Sequence, residues 1–239
     1  MRDAAFLDAC NPESAHADSG LTQHGEPMTM TTLYYSPSTA SLVVHWLLIE
    51  LDIPHRLHEL DFDKRDQKSP EYLKVNPAGV VPALDLEGQV ITESAAILLH
   101  LADLHPQANL APPVGSPERA RYYQWMLFMA NTLLPAYRAW FYSDEIAGAD
   151  NAEAVRAHAR QRIEGAWQRV ADHLEAHGPW MIGEQLTVVD FMATMLMRWS
   201  RNMPKPSDTW PVLKGHAGRM KARPAFKEVY AREGLTDWT

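Results

Sequence analysis

"NPAGVVPALDLEGQVITES", residues 76–94, decides how this chain is read. Two short apolar runs flank Glu87-Gly88, a hairpin signal. Pro82 opens the first run, where a ladder donor would be useful. That leaves two readings, a plain turn proline or a proline at a sheet edge or in a cis bond. A cis Val81-Pro82 bond would turn the Val81 backbone outward, so that its N–H and C=O could pair with an extended peptide by strand addition. Glu93 and Ser94 fall in the first turn of the helix that follows. Unpaired N–H groups and a partial positive charge suit that end to a carboxylate. Glu93 there either complements the helix dipole or, with Ser94, makes a receptor for an α-amino acid head. In the receptor reading, Glu93 takes the ammonium, while the serine hydroxyl and helix N–H groups take the carboxylate. A strand edge beside such a receptor describes a site for a short peptide with a free amino-acid end.

Upstream, "TTLYYS" (31–36) reads as a strand ending at Pro37, and apolar spacing from Ser41 to Leu51 predicts a helix that stops before Pro54. "HRLHELDF" (55–62) alternates as a strand, and "SPEYLKVNP" (69–77) is a short helical turn. The helix from Glu93 to Leu104 is closed by Pro106. The order βαβαββα results, in a unit spanning 30–105. Residues 106–117 hold four prolines and read as a linker. From 118 to 239 every pattern is helical. Glu118 to Tyr142 is a long helix that Pro135 should kink, Ala154 to His177 carries one apolar face, and Thr187 to Ser200 follows. Shorter helices surround Val212 and Phe226. In "GEQLTVVDFM" (183–192), Thr187 and Asp190 form a capping box with Leu186 stapled to Phe191, worth on the order of 1 kcal/mol for each polar partner. Residues 1–29 are small, polar and acidic and are expected to be disordered; Met28 and Met30 leave room for a later start.

Composition narrows the function classes. The net charge of −8 is half carried by residues 1–29, and no basic footprint points to nucleic acid. No stretch approaches the apolar length of a membrane span, and Asp3 and Asp8 sit where a signal peptide needs a basic and then an apolar region. A cytoplasmic location follows by default. Cys10 alone excludes a disulfide framework, a CxxC pair and a cysteine-based zinc site. The eleven histidines form no HExxH pattern, and no metal is expected.

From Thr31 to about Gly234 the chain resembles a cytosolic glutathione transferase, most of all the bacterial members. "LYYSP", "NPAGVVPAL", "ITESAAILLHLAD" and "GEQLTVVDFM" carry the resemblance in the right order across both halves. It implies a thioredoxin-like domain followed by an all-helical one, a homodimer, and glutathione as co-substrate. Val81 would then pair its backbone with the cysteinyl part of glutathione beside a cis Pro82, and Glu93 and Ser94 would bind the γ-glutamyl head. Lys64 lies where many relatives place a basic group for the glycyl carboxylate, although in "DKRDQK" it also reads as a solvated lysine.

Such an enzyme works largely by stabilising the thiolate, and one or two hydrogen bonds suffice for about 3 kcal/mol. The hydroxyl candidates are Ser36, whose position matches the catalytic residue of several classes, then Tyr35 and Thr39. Ser38, Thr39 and Ser41 read first as caps of the helix they precede. Ala40 stands where the bacterial cysteine class has its cysteine and Leu134 where it tends to have a histidine, which argues against mixed-disulfide chemistry. "SPSTAS" also lacks the Ser-Ser-Cys run of the maleylacetoacetate isomerase type. The electrophile is expected against the long helix, near Asn131, Tyr137, Trp140 and Phe141. The expected activity is conjugation of glutathione to small hydrophobic electrophiles, a detoxification chemistry. The rivals are glutathione-dependent peroxidase or isomerase work and a non-catalytic interaction protein of the same fold.

Overall fold

A computed structural model describes residues 31–239; the expected disorder of 1–29 lies outside the described residues. Four strands form one sheet in the order β2-β1-β3-β4: β1 (Thr31–Tyr35), β2 (His55–Glu59), β3 (Ala83–Leu86) and β4 (Gln89–Thr92). β1 and β2 run parallel, with Leu33 opposite Leu57, because the helix between them returns the chain to the same end. β3 lies antiparallel to β1, and the Glu87-Gly88 turn folds β4 back onto it. The two turn residues both take positive φ, 56° and 88°, which is why glycine serves at the second.

Helix α1 (Leu42–Glu50) is buried from Leu42 to Leu48. It is apolar all round because it lies between the sheet and the helical half. Trp46 meets Phe191 at 4.6 Å and Phe226 at 5.0 Å between ring centroids, and Arg223 pairs with Glu50 at the rim. One continuous core therefore runs through both halves. α2 (Pro70–Val75) is capped by Ser69, whose hydroxyl accepts from the Tyr72 N–H, and α3 (Ser94–Leu104) follows β4.

The helical half comprises α4 (Pro117–Phe128), α5 (Leu134–Phe141), α6 (Ser143–Ala147), α7 (Ala152–His177), α8 (Val188–Trp199), α9 (Pro211–Lys221) and α10 (Pro224–Arg232). The single long helix expected over 118–142 is divided at Pro135. The ring removes one donor to the preceding turn, and a π turn over Met129–Leu133 absorbs the misfit.

At the start of α8, Asp190 reaches back to the Thr187 N–H at 2.8 Å, as the capping box requires. It does more. Its other oxygen accepts from the Met181 N–H at 2.8 Å and from His216 Nε2 at 2.9 Å. All this happens without solvent, since Asp190, Thr187 and His216 are fully buried.

Candidate active site

Between the sheet and the helical half lies a cleft of about 1050 Å³. One wall is backbone. Val81-Pro82 is cis, and both residues line the cleft. The Val80 carbonyl just before them is fixed by two donors, Tyr72 Oη at 2.6 Å and Asn76 Nδ2 at 2.7 Å. β3 pairs on both sides, so Pro82 marks a cis bond and not a sheet edge; the segment before the strand, held by these donors, presents its backbone groups to an extended ligand.

Next to it stands the N-terminus of α3. Glu93 takes φ 68° and ψ 111°, a sparsely populated conformation for a residue with a Cβ, and its side chain makes no cap bond. The carboxylate is therefore left at the cleft wall, beside first-turn N–H groups that have no intrahelical acceptor. A cation near Glu93 and an anion near the N–H groups of Ser94 and Ala95 would both be stabilised, which is the pairing of an α-amino acid head. The Ser94 hydroxyl donates to the Ala40 carbonyl at 2.9 Å, so its proton tethers α3 to the loop before α1.

That loop supplies the third wall, with Ser38, Thr39 and Ala40 facing the cleft. The hydroxyls expected to cap α1 do not: Ser41 at the N-cap makes no side-chain cap bond. They fold back instead. Thr39 Oγ1 donates to the Ser36 carbonyl at 2.7 Å, and Ser41 Oγ donates to the same oxygen at 3.0 Å. The opposite wall is aromatic and thioether, with Trp140, Phe141, Trp199, Met192 and Met203, and Asn131 in the π turn adds an amide.

The family models for the glutathione S-transferase N-terminal and C-terminal domains match residues 37–104 and 131–233. The chain belongs to the cytosolic glutathione transferase superfamily. Glutathione S-transferase GST-4.5 from Xanthomonas campestris is 30% identical over 205 residues, which cover 85% of this chain and 98% of that protein. A glutathione transferase from Methylococcus capsulatus superposes with TM-score 0.78 at 32% identity, covering 87% of this chain and all of the other. A Sulfitobacter homologue solved with bound glutathione matches with the same TM-score at 27% identity and the same coverage.

In this glutathione transferase family member, Val81, Pro82, Glu93 and Ser94 all line the cleft. Lys64 does not join them. Its side chain is 76% exposed and paired with Asp61 at 2.7 Å, held on the outer side of its loop. Four residues on, Lys68 lines the cleft instead, with Nζ bonded to the Ala78 carbonyl at 3.2 Å. Both lysines lie in the same polar run, but Lys68 closes the 3-10 turn over Asp66–Lys68 and Lys64 precedes it.

Among the hydroxyl candidates, Thr39 reaches the cleft and the other two do not. Ser36 is buried at the end of β1, its carbonyl serving as the shared acceptor just described. Tyr35 is buried in the core and donates to Glu59 at 3.2 Å; burial first, then Glu59, pushes its hydroxyl up to about 12. Ser38, read from sequence as a cap, stands on the cleft wall. Of the expected electrophile residues, Asn131, Trp140 and Phe141 line the cleft. Tyr137 is 0% exposed and accepts from Trp167 Nε1 at 2.8 Å, so it is a core residue; Phe141, one turn on, takes the cleft position. Among the described residues no group of three or more histidines, cysteines or acids is arranged to hold a metal, and no helix is long and apolar enough to cross a membrane.

Proposed function

We propose that this protein is a glutathione transferase that conjugates the glutathione thiolate to small hydrophobic electrophiles. The observation that carries the reading is the convergence on one cleft of the cis Val81-Pro82 segment, the Glu93–Ser94 helix start, the 38–40 hydroxyl loop and an aromatic wall opposite them. Val81 pairs its backbone with the cysteinyl residue. Glu93 takes the γ-glutamyl ammonium, and the N–H groups of Ser94 and Ala95 take its carboxylate. Lys68 replaces Lys64 as the basic group for the glycyl carboxylate. The thiol then points to the 38–40 loop, where a hydroxyl donor lowers its pKa and makes the nucleophile. The electrophile lies against Trp140 and Trp199 with Asn131 beside it. Sulfur forms the new bond to carbon, and the leaving group departs with its electron pair.

The protein acts as a cytoplasmic homodimer in detoxification. Leu104 on α3 and Tyr123 and Leu127 on α4 are exposed and give the dimer an apolar face. The test of the activity is glutathione-dependent turnover of an aryl halide followed by absorbance. Product formation that saturates with glutathione is expected. Glutathione binding without turnover of any aryl halide or epoxide would leave the non-catalytic reading.

A further inference from the structure

Ser38 stands in the left-handed region at φ 65°, a conformation serine seldom adopts. Two groups from the helical half hold it there. Glu233 accepts the Ser38 N–H at 2.9 Å, and Arg198 Nη1 donates to Ser38 Oγ at 2.6 Å. Arg198 is itself only 1% exposed, and two more of its donors anchor it: Nε bonds Tyr230 Oη and Nη2 bonds Asp237, each at 2.7 Å. Asp237, near the end of the chain, also pairs with Arg201 on the cleft wall.

The two hydroxyls on that wall differ in what they have left to give. The Thr39 hydroxyl is engaged within the loop, by the Ser36 carbonyl at 2.7 Å and by Ser41 Oγ at 2.8 Å. Ser38 Oγ is an acceptor for Arg198, so its own proton is the one left to be donated to a ligand. A guanidinium on the oxygen draws electron density from it and strengthens the O–H as a donor. The positive charge one bond further away also favours an anion at the end of that O–H. Resting on the glutathione reading, we propose that Ser38 donates the hydrogen bond that holds the thiolate. Arg198, a positioning residue from the helical half, sets the geometry and donor strength of that hydroxyl. The proton lost by the glutathione thiol goes to water.

Other charged groups bear on the same point. Glu233 approaches from the backbone side and shares its carboxylate with His45 Nδ1 at 2.9 Å. Asp237 is engaged by two arginines, and Glu93 and Lys68 line the same cleft. Arg198 is the only one of these bonded to a cleft hydroxyl among the described residues.

The experiment is a pH titration of thiolate absorbance in the glutathione complex, with steady-state kinetics beside it. Ser38→Gly is the decisive variant, because glycine takes the left-handed conformation freely and so removes the hydroxyl without backbone strain. At a pH between the two titrations, Ser38→Gly is expected to lose about tenfold or more of its thiolate, one pKa unit per decade. kcat should fall with glutathione KM nearly unchanged. Arg198→Met should reproduce most of this, Arg198→Lys should recover part of it, and the double variant Ser38→Gly/Arg198→Met should titrate like Ser38→Gly alone. An unchanged titration in Ser38→Gly overturns the assignment of Ser38, and an additive double variant overturns the role of Arg198. If the unsubstituted protein binds no glutathione, or its bound thiol titrates like free glutathione, the glutathione reading itself fails.

Discussion

Replacing Asp190 by alanine should destabilise the protein far more than a helix cap would. A cap alone costs about 1 kcal/mol. Here one fully buried carboxylate satisfies the N–H groups of Thr187 and Met181 and Nε2 of His216. Each stranded donor costs roughly 1–3 kcal/mol, and removing one partner of a buried charged contact costs about 3–5 kcal/mol as a whole. We expect about 3–5 kcal/mol for Asp190→Ala against about 1 kcal/mol for Thr187→Ala, whose hydroxyl meets Asp190 at 3.2 Å. With a urea m-value of about 2–3 kcal/mol/M, the midpoint should fall by roughly 1–2 M for the first variant and well under 1 M for the second. Urea unfolding followed by tryptophan fluorescence and circular dichroism at fixed protein concentration gives both numbers. Equal losses for the two variants would refute the hub and reduce Asp190 to a cap.

Further expectations follow from the cleft. Glu93→Gln should weaken glutathione binding about ten- to a hundredfold, the worth of a hydrogen bond to a charged group, and an unchanged Kd by calorimetry would remove Glu93 from the receptor. Lys68→Ala should raise the glutathione Kd while Lys64→Ala leaves it alone, because Lys64 lies outside the cleft wall; the reverse pattern would restore the sequence expectation. Tyr35 has its hydroxyl raised by burial from 10.0 to about 12, and so does Tyr230 despite the pull of Arg198. A folded pKa above the unfolded value means stability that is complete below pH 10 and lost as pH climbs through that window. The urea midpoint should drop between about pH 10 and 12, and the drop should shrink in Tyr35→Phe. A flat midpoint across that range would contradict it.

Local features were legible in the sequence and distant ones were not. The hairpin at Glu87-Gly88, the cis Val81-Pro82 bond and the Glu93–Ser94 helix start each depend on residues within a few positions of one another. Ser38 misled, because a hydroxyl before a helix reads as a cap unless one knows that Arg198, 160 positions away, binds its oxygen. Tyr137 misled for a related reason. Helical spacing groups it with Phe141, but burial against Trp167 decides which of the two faces solvent. Pro135 announced a disturbance without its form, since a π turn and a sharp bend relieve the same missing donor. Lys68 lies in the 3-10 turn over Asp66–Lys68 and Lys64 before it, a difference that polar composition does not specify.

Glutathione binding to the folded protein tests the central claim most directly. Calorimetric titration of the unsubstituted chain should give a saturable isotherm with one glutathione per chain and a Kd below about 1 mM, or roughly −4 kcal/mol and tighter. Absence of binding at millimolar glutathione would contradict the account of the cleft and every role assigned within it.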